Sequence, residues 1–289
     1  MRLVTHERCL DGATCAVLGR AAGMEPAFVY PDGVVAYLRS LPPDEPVVLA
    51  DVSFDRASYD TYAPRLVALI DHHQSALPLR GLARVHLELD HCASVLLYRW
   101  LTATGRLSPD PAWEPLLAAV DAYDLWRPDH RLGQDLNRLL HDRGWSWFAA
   151  KFARGFVPLD AEEAGRLAEL VAEEEAFVRR HRERAEPFSV GNLKAALVSL
   201  DSEGAVNEVA HRLIEDGVDL VLLVKPDGRL SARSSARVDA ARLMERAFGG
   251  GGHPRAAGGR LPAGLAPDAA ETLRWVREQA QAALTAPEP

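Results

Sequence analysis

Through the first 90 residues, apolar positions come in short runs, and three of these runs end abruptly in polar residues able to do chemistry. Arg2 to Thr5 runs into His6, Pro46 to Ala50 into Asp51, and Arg65 to Ile70 into Asp71, His72 and His73. Runs this rich in Val, Leu and Ile predict strands buried on both faces, the habit of a parallel sheet. Between them, Ala13 to Ala22, entered through Asp11 and Gly12, and Asp32 to Leu41 predict helices. The alternation argues for an open, mainly parallel α/β sheet flanked by helices. In such sheets ligands gather at the carboxyl ends of the strands, and all three polar clusters fall on that edge. Further on, Ala83 to Leu89 alternates like another strand. Ser94 to Thr102 and Trp113 to Val120 predict helices, the second leading into Asp121 and Asp124.

The pattern changes near Leu159. From there to Ala185 the chain predicts one long charged helix with an apolar stripe of Leu167, Leu170, Val171 and Phe177. Such a helix connects domains or makes a homodimer contact. A second unit begins near Pro187. Leu193 to Leu200, Val218 to Val224 and Arg229 to Ser235 predict strands, the last two joined by a turn at Pro226, Asp227 and Gly228. Val206 to Ile214, Asp239 to Ala247 and Pro267 to Leu284 predict helices. The organisation expected is an α/β domain over 1–150, a connecting helix over 151–186, and a smaller α+β domain over 187–289, with an active-site cleft between the two domains.

Composition narrows the partners. With 48% hydrophobic and 26% charged residues, the chain is not a disordered one. A net charge of −8 argues against a long nucleic-acid duplex laid over a basic face, but leaves room for a small anion in a locally positive pocket. No apolar run approaches the roughly 18 residues that span a bilayer, so no membrane partner is expected. Strand-like residues begin at Arg2, so no signal peptide is expected. Three cysteines, Cys9, Cys15 and Cys92, without C-x-x-C spacing, make neither a disulfide framework nor a zinc ribbon. A reducing cytoplasm is the expected home.

His6, Asp11, Asp51 and His72 make a hard-to-borderline ligand set of two imidazoles and two carboxylates. It suits Mn²⁺, Mg²⁺, Fe²⁺ or Zn²⁺. Two such ions roughly 3.5–4 Å apart can activate a water and clamp an in-line phosphoryl displacement. Asp51, at the end of a central strand, can bridge them. Asp71 is placed to fix an imidazole from behind. A single strand-end Asp is ordinarily a cap, and a single His a surface group; three strands ending so at one edge is the stronger signal.

These residues resemble the DHH phosphoesterase family. The matching segments are Thr5 and His6 with Asp11-Gly12, Ala50-Asp51, Asp71-His72-His73, and Asp121 and Asp124 with Leu125-Trp126. The glycine run with His253, Ala256, Ala257 and Gly258 resembles the associated C-terminal domain of that family. The resemblance implies metal ligands at His6, Asp11, Asp51 and His72, and a further one at Asp124, with Asp121 as the alternative. It implies a place for His73 beside the scissile phosphate or the bridging water. Cys9 stands where many members carry Asp. A branch resembling nanoRNases and linear-dinucleotide phosphodiesterases also carries Cys there. Cys9 is either a thiolate ligand or a small buried residue.

The run Gly249 to Gly252 has its own logic. Gly250, Gly251 and Gly252 let backbone N–H groups approach a phosphate, and His253 and Arg255 add charged donors. Arg233 resembles another substrate contact, and an arginine fork suits phosphate. Cys15 and Cys92 read as packing residues. Trp126, Trp145, Trp147 and Phe148 could stack a base, although core packing is the plainer role. The reading is therefore a two-metal, manganese-preferring phosphodiesterase that cuts short single-stranded oligonucleotides or dinucleotides such as pGpG to 5′-mononucleotides. The alternatives are a pAp phosphatase, a cyclic-nucleotide phosphodiesterase, an exopolyphosphatase, or a nucleotide-binding regulator without turnover.

Overall fold

A computed structural model describes residues 1–125, 127, 131–202 and 204–285 of the 289-residue chain. It divides into two compact units, Met1–Leu167 and Ala168–Pro289.

The first unit alternates strand and helix. It runs β1 (Arg2–His6), α1 (Leu10–Ala21), β2 (Glu25–Val29), α2 (Val34–Ser40), β3 (Val47–Ala50), the single turn α3 (Tyr59–Tyr62), β4 (Leu66–Asp71), β5 (Val85–Leu87), α4 (Ala93–Ala103), α5 (Glu114–Asp124) and α6 (Arg131–Lys151). Five strands form one sheet in the order β2-β1-β3-β4-β5, and every pairing is parallel. Its central strands are buried on both faces. One face, with Leu3, Val48, Ala50, Ala68 and Ile70, packs against α1, α4, α5 and α6. The other, with Val4, Leu49 and Leu69, meets Val34, Leu38, Tyr59 and Tyr62.

Several boundaries differ from the sequence expectation. α1 begins at Leu10, so Asp11 and Gly12 lie in its first turn rather than ahead of it. α5 runs on to Asp124, so Asp121 and Asp124 share its last turn. β2 and α6 were not anticipated. Pro26 hid the first, which is a sheet edge, where proline is tolerated. Gly144, at φ 77°, kinks the second. Trp126 lies outside the described residues.

α7 (Ala161–Glu183) is the long charged helix, and the division between the units falls inside it. The second unit continues with β6 (Glu186–Val190), β7 (Leu193–Ser199), α8 (Val206–Glu215), β8 (Leu220–Val224), β9 (Arg229–Ser234), α9 (Ala240–Phe248), β10 (Gly251–His253), β11 (Ala256–Arg260) and α10 (Ala270–Thr285). Its sheet is mixed, in the order β10-β11-β9-β8-β7-β6, with only β7 and β8 parallel. One face packs on residues of α9 and α10, such as Leu243, Met244 and Val276. The other packs on Phe177 and Val178 of α7 and on Val209 and Leu213 of α8.

The glycine run, expected as a loop, is instead a hairpin between β10 and β11. Its glycines answer to that packing. A Cβ on Gly250 would lie 1.9 Å from the Gly258 carbonyl oxygen, and Gly252 sits at φ +145° with room for no side chain.

Candidate metal centre

Three strands of the first sheet, β1, β3 and β4, deliver their chemistry at the same edge. His6 is the last residue of β1, Asp51 follows β3 directly, and Asp71 ends β4 with His72 and His73 just beyond. Asp11 joins them because α1 starts hard against the end of β1. A Cβ on residue 12 would lie 2.2 Å from the His6 carbonyl oxygen, so only glycine permits that approach. Asp124 arrives from the last turn of α5.

Asp51 is the hub. It is 1% exposed, and its two carboxylate oxygens face different imidazoles. Oδ2 lies 3.6 Å from His6 Nδ1, and Oδ1 lies 3.4 Å from His72 Nε2. His72 Nε2 in turn lies 3.3 Å from Asp124 Oδ2 and 4.0 Å from Asp11 Oδ2. Three overlapping groups therefore offer ligand atoms within 4.8 Å of one another: His6, Cys9 and Asp51; Asp51, His72 and His73; and Asp11, His72 and Asp124.

The supporting bonds explain the orientation of these side chains. Asp11 accepts from the backbone N–H groups of Ala93 (2.8 Å) and Ser94 (2.9 Å) at the start of α4, where the helix dipole favours a carboxylate. Asp71 accepts from the N–H of His72 at 2.7 Å, and the same oxygen lies 2.7 Å from His73 Nδ1. The imidazole it fixes is thus His73, whose ring is 46% exposed. Asp121 points elsewhere: Oδ1 accepts from the Cys92 N–H at 2.7 Å, and Oδ2 lies 3.2 Å from His91 Nδ1 and from an Arg127 nitrogen. Asp124 faces the cluster and Asp121 does not. Ala93 and Ser94, the backbone clasp on Asp11, carry no signal in the sequence; their role depends on where α4 starts.

Charge is out of balance around His72. Burial, then Asp51 and Asp124, push the Asp11 carboxyl up to about 7. Burial alone would raise Asp51 too, but the imidazoles of His6 and His72 hold it down to about 2. Burial disfavours a charged His72, yet Asp51, Asp11 and Asp124 drive it up to about 9. Burial also raises Asp124, and burial followed by Asp51 and Asp11 raises the Cys9 thiol well above its usual range. The Asp71 hydrogen bond raises His73. The cluster thus favours positive charge at its centre.

The residues fit a pair of divalent cations. Asp51 Oδ2, Asp71 Oδ2 and His72 Nε2 are buried without a hydrogen-bond partner, a costly arrangement unless something else satisfies them. A cation accepts lone pairs from an orphaned carboxylate oxygen and from a neutral imidazole nitrogen alike, and displaces the proton that His72 would otherwise hold.

In the second unit, Arg233 on β9 donates to Asn207 Oδ1 at 2.7 Å and to the Ala232 carbonyl at 2.9 Å. The sheet register sets His253, Ala256 and Arg233 in one cross-strand row, so His253 and Arg233 share a face. Arg255 donates to the Ser235 carbonyl. Cys15 and Cys92 are fully buried in the core of the first unit. Phe148 is buried there as well, with Trp145 and Trp147 packed against it, so these aromatics serve the core.

Residues 193–281 match the DHHA1 domain family. No curated protein matches the chain's sequence significantly. Solved structures resemble it along its whole length. The pGpG-specific phosphodiesterase PggH from Vibrio cholerae is 15% identical, with a TM-score of 0.64 over 97% of this chain and 99% of that one. The exonuclease RecJ bound to manganese is 21% identical, with a TM-score of 0.60 over 100% of this chain and 91% of that one. An exopolyphosphatase-related protein from Bacteroides fragilis is 15% identical, with a TM-score of 0.58 over 97% and 91%. At such identities the likeness is one of fold. The chain thus matches the DHHA1 domain family over most of its second unit, shares its fold with these three structures, and carries Asp71-His72-His73 at a strand edge of its first unit.

Proposed function

We propose that this protein is a metal-dependent phosphodiesterase that hydrolyses linear dinucleotides such as pGpG, or short oligonucleotides, to 5′-mononucleotides. The observation that carries the reading is the buried Asp51 carboxylate between His6 and His72, in a cluster with three buried polar atoms that no protein group satisfies. Two divalent cations, with Mn²⁺ preferred, supply an activated water and neutralise phosphoryl charge when bound. His6, Asp11, Asp51, His72 and Asp124 would hold them, with Asp51 Oδ2 toward His6 and Oδ1 toward His72. Solved structures of the same fold include a manganese-bound exonuclease and a pGpG-specific phosphodiesterase, which supports both metal and substrate class.

His73 has a different task. Asp71 holds its Nδ1, which leaves Nε2 on an exposed ring for the substrate. Driven toward imidazolium, it donates to a phosphoryl oxygen and stabilises the charge that builds there in the transition state. His73→Ala therefore lowers kcat by about 10²–10³-fold, the scale of one lost oxyanion donor. In the DHHA1 domain, Arg233, His253 and Arg255 bind the substrate's phosphates, whereas Gly250, Gly251 and Gly252, expected to offer backbone N–H groups, serve the β10–β11 hairpin. Arg233→Ala raises KM more than it lowers kcat.

The acidic chain favours a small substrate over long nucleic acid. A parallel assay of pGpG, pAp, cyclic AMP and polyphosphate with Mn²⁺ tests the proposal. Fastest turnover of pGpG, giving two GMP per molecule, is the expected result. Faster turnover of pAp or polyphosphate reassigns the substrate, and nucleotide binding without turnover under any divalent metal makes the protein a regulator.

A further inference from the structure

Two of the three ligand groups offer only oxygen and nitrogen, whereas the group of His6, Cys9 and Asp51 adds a sulfur. We infer that Cys9 is a thiolate ligand and that the two metal positions are chemically unequal. One, at His6, Cys9 and Asp51, takes a thiophilic cation of the Zn²⁺, Fe²⁺ or Co²⁺ class. The other, at Asp11, His72 and Asp124, takes a hard cation such as Mn²⁺ or Mg²⁺. This deepens the metal-centre reading above and rests on it.

Three observations carry it. The ligand atoms of His6, Cys9 and Asp51 lie within 4.8 Å of one another. Asp51 Oδ2, the oxygen facing His6, is buried and has no hydrogen-bond partner, so a lone pair is free for a cation there. Cys9 is also a residue type poorly suited to capping a helix. It stands at the cap of α1 in extended backbone, where Ser, Thr, Asp or Asn would bond the first turn, and its side chain makes no capping bond. Nor is it a core residue like the other two thiols. Cys15 and Cys92 are fully buried among apolar side chains, and the Cys92 Sγ lies 3.3 Å from Ser94 Oγ. Neither belongs to a ligand group among the described residues.

Co²⁺ binding to the full-length, metal-stripped protein tests the assignment without any assay of turnover. Bound Co²⁺ shows visible d–d bands whatever its ligands, and a near-ultraviolet charge-transfer band only with thiolate. The wild type and Cys92→Ala should show both. Cys9→Ser should keep the d–d bands and lose the charge-transfer band. Bound Co²⁺ without that band in the wild type, or a band that survives in Cys9→Ser, overturns the inference and leaves the metal centre standing. Absence of any bound Co²⁺ overturns both. If Cys9→Ser does not fold, ¹¹³Cd NMR of the wild type decides the point: a resonance in the thiolate range supports it, and one confined to the nitrogen-and-oxygen range overturns it.

Discussion

Asp51 leaves β3 with φ +62°, a left-handed conformation that Asp and Asn adopt more readily than other side chains bearing a Cβ. Asp51→Asn keeps that backbone and the volume of the group while removing its charge. The variant should fold, show a melting temperature that Mn²⁺ no longer raises, and hydrolyse nothing; a melting temperature that Mn²⁺ raises as in the wild type would show that Asp51 is not a ligand. Gly12 sits on the other side of the argument. Gly12→Ala forces a Cβ to within 2.2 Å of the His6 carbonyl oxygen, so α1 must move off β1. A loss of about 1–3 kcal/mol in urea denaturation is expected, as for other overpacked sites, and an unchanged midpoint would contradict it. Most single residues of this centre were legible in the chain, because strand-end polar residues after buried runs can only fall at one edge. The preference for Asp124 over Asp121 rests on the family resemblance rather than on the residue pattern. Both occupy the last turn of α5, and only the position of α4 turns one toward a helix start and leaves the other facing His72.

α4 shows why part of the site stays hidden at the level of elements. Its start has no capping side chain of its own, since Cys92 stands in the cap position and makes no such bond. Asp121 and Asp11 supply the bonds instead, to the N–H groups of Cys92, Ala93 and Ser94. Those partners are 29, 82 and 83 residues apart in sequence, beyond any local pattern. Asp121→Ala removes the acceptor from a buried N–H and should cost about 1–3 kcal/mol in guanidinium denaturation. Asp121→Asn, which retains an acceptor oxygen, should cost clearly less; equal losses would contradict the capping role. The glycine hairpin was misread for a related reason: glycine weakens a strand locally, and pairing with β9 rescues it from a distance. α7 offers a test in the second unit. The Arg180 hydrogen bonds hold Asp201 down to about 2, against 3.8 for an ordinary Asp. A depressed carboxyl stabilises the fold above its unfolded value and loses that contribution as pH falls through its folded one. The difference in urea midpoint between wild type and Asp201→Asn should therefore shrink between about pH 4 and pH 2. A difference that stays constant over that window would contradict the pairing.

For the molecule as a whole, the alternation of buried strands and helices announced the parallel sheet, and the charged stretch announced α7. The second unit's strand order could not be read, because two of its five pairings, β7 with β8 and β9 with β11, join strands separated by a helix. The central claim concerns the first unit: its strand edge holds two divalent cations and uses them on a phosphodiester. Cations that bind the folded chain alone stabilise it by mass action, by about 2.7 kcal/mol at a hundredfold excess over Kd. The most direct measurement is Mn²⁺-dependent hydrolysis of pGpG by the purified protein beside Asp51→Asn, with bound metal counted in both. The account predicts two divalent cations per wild-type chain, two GMP from each pGpG, loss of turnover with EDTA and its return with Mn²⁺, and neither full metal content nor turnover in Asp51→Asn. Turnover that persists in EDTA or in Asp51→Asn, or a wild-type chain that binds no divalent metal, would contradict it.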